Sequence, residues 1–146
     1  YILKSYLPLF CDVIIKIGAG DFSHKEFSSR KRRFVRDLKA IIKIVPHHTD
    51  NGEFSEFLQL SSYSLNDKTM EMFAIWVDIF NKPHLHEKDV IETVLLELSD
   101  KLAPHISDNG HRFAMIAAAS SLTYGGQLSE KYNGLSQISF IKSLAE

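Results

Sequence analysis

Four of the seven histidines fall in two short segments, His47-His48 after Pro46 and His84-x-His86 after Pro83. Neutral imidazole is a common metal ligand, and three such nitrogens could begin a metal centre. Helical sites place their histidines four residues apart, as in His-Glu-x-x-His, and that spacing does not occur here. Histidine beside proline is instead the composition of a polar interhelical loop. No metal ligand and no cofactor is assigned, and a metal-dependent helical enzyme built on these loops stands as the third reading. Cys11 lies in the apolar run Leu9-Phe-Cys-Asp-Val-Ile-Ile, where burial raises a thiol pKa and suppresses its reactivity. There is no Gly-x-Ser-x-Gly elbow. Gly18-Ala-Gly20 supplies two glycines of a dinucleotide fingerprint, but Ser23 stands where the third would be. A helix C-cap and turn is its ordinary reading. No catalytic residue follows from any of these groups.

Charge gives a stronger signal. The net charge is −1, yet residues 1–43 carry ten Lys/Arg against four Asp/Glu, and the remainder carries seven against fourteen. Eight of the seventeen basic residues lie within 25–43. Read as a helix, this segment places Arg32, Arg36, Lys39 and Lys43 in one stripe able to meet several phosphates. No aromatic residue interleaves with that stripe for base stacking, and no helix-turn-helix follows it. Glu87, Asp89, Glu92, Glu97 and Asp100 form the opposing acidic surface, which would steer a basic protein partner.

The elements that carry these charges read as helices. Residues 70–80 are apolar nearly all round: Met70, Phe73, Ala74 and Val77 line one face, and Met72, Ile75, Trp76 and Ile79 the other. Such a helix has to be surrounded, so it is the expected centre of the fold. Residues 24–45 repeat Phe27, Phe34, Val35, Leu38, Ile41, Ile42 and Val45 at three- and four-residue steps before Pro46. Asp50 or Asn51 is the expected N-cap of a helix over 53–65. Further helices are expected over 87–103, closed by Pro104, over 111–124, ended by Gly125-Gly126, and over 135–144. A helix after Pro8 competes with a strand over 13–17. The expectation is an all-α fold, one compact domain over 1–146, with seven or eight helices around the buried helix 70–80.

With 146 residues, 45% apolar content and one cysteine, a packed core without internal disulfides is expected. No run approaches the roughly 18 apolar residues of a membrane span, and a cytoplasmic location is expected. The lack of an initiating Met suggests a trimmed chain.

Size, short loops, the lack of a catalytic motif and the acidic stretch 87–100 together resemble the small all-helical immunity proteins that bacteria pair with secreted or contact-delivered toxins. That resemblance implies stoichiometric inhibition, with the immunity protein covering the active site of a basic, nuclease-type toxin. The basic segment 25–43 departs from a uniformly acidic inhibitor. The leading expectation is a non-enzymatic binding protein of this kind, using Glu87, Asp89, Glu92, Glu97 and Asp100. Nucleic-acid binding through Arg32, Arg36, Lys39 and Lys43 is the alternative.

Overall fold

The computed structural model describes residues 2–47 and 53–146. The first helix, α1 (Leu7–Ile14), follows a 3-10 turn over Ile2–Tyr6 and has Pro8 in its first turn, where the missing N–H costs nothing. Next, α2 (His24–Phe34) opens at Ser23, whose backbone N–H and hydroxyl both donate to the Glu26 carboxylate, at 3.0 and 2.8 Å.

Helix α2 stops at Phe34, and the chain continues as β1 (Arg36–Pro46). A second strand, β2 (Phe54–Tyr63), pairs with it in a two-stranded antiparallel sheet, and the His47 N–H donates to the Glu53 carbonyl at 2.9 Å. The all-α expectation is therefore wrong at both 36–45 and 53–65. Val35, Leu38, Ile41, Ile42 and Val45 satisfy a helical period, but Leu38, Ala40, Ile42 and Ile44 also alternate with more exposed neighbours at period two. β-branched side chains fit the pleat better than the helix. The expected N-cap at Asp50 or Asn51 lies outside the described residues.

After a 3-10 turn over Asn66–Lys68 comes α3 (Thr69–Asn81), at the expected place but not enclosed. Met72, Ile75 and Ile79 are buried, whereas Met70, Phe73, Val77 and Phe80 are 47–77% exposed. The long α4 (Lys88–Asp108) runs through Pro104 rather than ending there. Three helices follow: α5 (Gly110–Ser120), α6 (Tyr124–Asn133) and α7 (Leu135–Ala145). Gly125-Gly126 begins α6 instead of closing its predecessor, because Thr123 caps it by accepting from the Gly126 N–H at 2.9 Å. A side chain at Gly126 would collide with the Ala119 carbonyl, so only glycine lets these backbones approach.

The chain divides into two compact units. The first comprises Tyr1–Leu9, Ile42–Phe57 and Leu95–Glu146; the second comprises Phe10–Ile41 and Leu58–Val94. In the first, α6 packs on both α5 and α7, with Phe113, Leu128, Tyr132, Ile138 and Ile141 buried. The buried Gln137 amide donates to the carbonyls of Ser5 (3.2 Å) and Lys131 (3.0 Å). In the second unit, α2 packs on α3, and Ile17, Phe27, Ile75 and Ile79 have no exposed surface. Burying each such side chain stabilises a fold by about 1.5–3 kcal/mol. No helix among the described residues is long and apolar enough to cross a membrane.

Candidate functional site

A polar cluster of the second unit surrounds the turn at residues 18–24, and Glu87 is its centre. One Glu87 oxygen accepts from the Gly18 N–H at 2.8 Å, and the other accepts from the His24 N–H at 3.3 Å. His24 opens α2, so the carboxylate satisfies an N–H with no partner inside the helix and sits at the positive end of its dipole. His84 completes the arrangement. Its Nε2 donates to the Gly20 carbonyl at 2.9 Å, its backbone N–H donates to the Gly18 carbonyl at 2.9 Å, and its Nδ1 lies 3.7 Å from Glu87. Partial burial pushes the Glu87 carboxyl up, but the Gly18 and His24 amides and His84 outweigh it and hold it below the ordinary value.

The turn needs glycine at Gly20, where φ is +65° and an added Cβ would lie 2.9 Å from the Asp78 carboxyl carbon. Asp78 in turn pairs with Arg30 at 2.6 Å, and the Arg30 guanidinium lies 4.8 Å over the Phe22 ring. Lys31 donates to the Ile15 carbonyl, and burial beside Lys16 pushes its pKa down to about 8. These groups face backbone and one another, so the cluster acts as a clamp that fixes the turn against α3 and the start of α4.

Within the first unit, a cleft of about 460 Å³ runs along Ile42, Ile44 and Phe54 and the start of α6 at Thr123–Gly126. Phe54 and Tyr124 stack there with ring centroids 5.3 Å apart. Nearby in the same unit, Glu56 accepts from the Tyr132 hydroxyl at 2.6 Å and from Lys4 at 2.5 Å. Burial raises the Glu56 carboxyl, the Lys4 and Tyr132 bonds lower it, and the net direction is down.

The residues expected to form sites fall on different elements of this fold. Arg32 belongs to α2, whereas Arg36, Lys39 and Lys43 belong to β1. On the strand, Lys39 and Lys43 are an even number of positions apart and share a face, but Asp37 between Arg36 and Lys39 has φ +51° and breaks the alternation there, so the four do not lie along one helix as expected. Asp89, Glu92, Glu97 and Asp100 are exposed on α4, while Glu87 is turned into the clamp. Among the described residues no group of three or more His, Cys, Asp or Glu is placed to hold a metal ion. His84 and His86 stack at 5.3 Å, and His48 lies outside the described residues. Cys11 is buried, and burial next to Asp12 pushes its thiol up to about 11. Sequence reasoning missed the clamp because Gly18 and Glu87 are 69 residues apart and only the folded chain joins them.

Residues 2–144 match the family model described as Peptidase M-16C associated, and the chain belongs to that family. It is 33% identical to the mitochondrial presequence protease of Danio rerio over 99% of its own length and 14% of the relative's. It is 23% identical to the mitochondrial presequence protease of Schizosaccharomyces pombe over 98% and 14%. Protein HypA of Clostridium perfringens is 27% identical over 97% and 15%. The chain thus spans about one seventh of the length of these curated relatives.

These findings overturn the toxin-immunity resemblance, together with the inhibitor function and the basic toxin partner drawn from it. Size and acidic stretches are shared by many unrelated helical chains, so they carried no family information. The cytoplasmic expectation also loses its support. It rested on a single cysteine and the lack of an apolar span, which do not distinguish compartments, and the eukaryotic relatives are named as mitochondrial.

Proposed function

We propose that this chain is a non-catalytic domain of a longer peptidase polypeptide that acts on presequence peptides in mitochondria. The proportions of the matches carry the reading. Nearly the whole chain aligns with one seventh of each presequence protease, and the family is described as associated with the peptidase rather than as the peptidase itself. The polar geometry supports a structural role, because Glu87, His84, Asp78 and Arg30 hold backbone and one another. The bacterial relative indicates that the domain type is not confined to mitochondria.

The test is to isolate the native polypeptide with an antibody raised against residues 1–146 and incubate it with a presequence peptide. The expected product has about seven times the 16.6 kDa mass of this chain and cleaves the peptide, whereas residues 1–146 alone do not. A native species of 16.6 kDa, or cleavage by residues 1–146 alone, would overturn the reading.

A further inference from the structure

The second unit leaves one face of its best-formed helix uncovered. At 100° per residue, Met70, Phe73, Val77 and Phe80 fall within an arc of about 80° on α3. Their exposures are 77, 47, 55 and 51%, while Ile75 and Ile79 on the opposite side have none. No charged residue lies on this stripe. Three polar groups farther round the helix are engaged: Asp78 with Arg30, Glu71 near Lys68 at 3.8 Å, and the Trp76 indole N–H with the Ser62 hydroxyl at 3.0 Å. Trp76 also holds Phe73 edge-on at 5.6 Å between centroids. The stripe therefore presents a pre-oriented aromatic of the kind that anchors interfaces. A contiguous apolar patch left in water marks an interaction surface rather than an ordinary exposed side chain.

We propose that this face of α3 is a docking surface, and that its occupant is an apolar surface of the remainder of the same polypeptide. The choice of occupant rests on the function proposed above. About six sevenths of the Danio rerio relative lies outside the region this chain matches. Polypeptide tethered in that way is present at high effective concentration, so it covers an apolar stripe ahead of any free partner. The uncharged stripe selects an apolar surface over a basic peptide or a phosphate.

The experiment places a photo-crosslinking phenylalanine derivative at Phe73, and separately at Val77, in the native-length polypeptide, with peptide mapping by mass spectrometry after irradiation. The expected crosslinks join residues 73 and 77 to segments outside 1–146 of the same polypeptide. A second variant, Phe73→Glu with Val77→Glu, is expected to speed amide exchange in α3 several-fold in the native-length protein. Crosslinks confined to residues 1–146, to a second copy or to a separate protein overturn the docking assignment, as does the absence of any crosslink. A native polypeptide of 16.6 kDa overturns the function on which it rests. A longer polypeptide without outside crosslinks overturns the docking surface alone.

Discussion

Glu87 and Glu56 are both partly buried carboxylates held below their ordinary pKa, yet they secure different kinds of structure. Glu87 takes its donors from backbone, the Gly18 N–H in the turn and the His24 N–H that opens α2. Glu56 takes its donors from side chains, Tyr132 on α6 and Lys4 in the first 3-10 turn. A backbone donor cannot rotate away when its acceptor is lost. Side-chain donors can turn toward water, so the same charge is worth more in the clamp than in the first unit.

Substitutions can break this contrast. The largest effect is expected from Glu87→Ala, which leaves two backbone donors without their acceptor and is expected to cost about 3 kcal/mol, read by urea unfolding followed by circular dichroism. Because the folded pKa of Glu87 is lowered from 4.5, its contribution is fully present above that value and is lost as pH falls through the lower folded value. The difference between the wild type and Glu87→Ala should accordingly shrink as the pH is taken below about 4.5. A difference that grows on acidification would mean the carboxylate is not the stabilising form.

Tyr132→Phe should cost about 1.5 kcal/mol, since one hydrogen bond to a charged acceptor goes while the ring stays in place. The measurement is the same unfolding curve. A cost above that of Glu87→Ala would reverse the ranking of the two carboxylates. Lys4→Ala should cost the least, about 0.5 kcal/mol, because both side chains of its pair keep contact with water, at 33 and 24% exposure. Added salt should shrink that difference further, which separates it from the Tyr132 effect.

How far the sequence disclosed this molecule follows the range of the interactions. The position of α3 was legible because its apolar residues are local and dense. The turn at Gly18–Gly20 and the buried state of Cys11 were legible for the same reason. The strands were not, because residues 35–45 satisfy both periods and the decision belongs to the partner strand. Asn51-Gly52 was the available signal, since Asn-Gly between apolar runs favours a hairpin. The clamp was invisible because Glu87 and His84 lie 63–69 residues from the backbone groups they hold. The openness of α3 was hidden for another reason: an all-apolar helix says it will be covered, but not by which chain segment. The family was out of reach because it has no short motif in this chain to announce it.

The single Trp and the single Cys of the sequence both belong to the second unit, at positions 76 and 11. Indole emission and thiol alkylation therefore report when that unit opens and are silent about the helices α5–α7. Transitions followed by fluorescence and by far-ultraviolet dichroism coincide only if the two units unfold together, so these two residues make the chain its own assay of cooperativity.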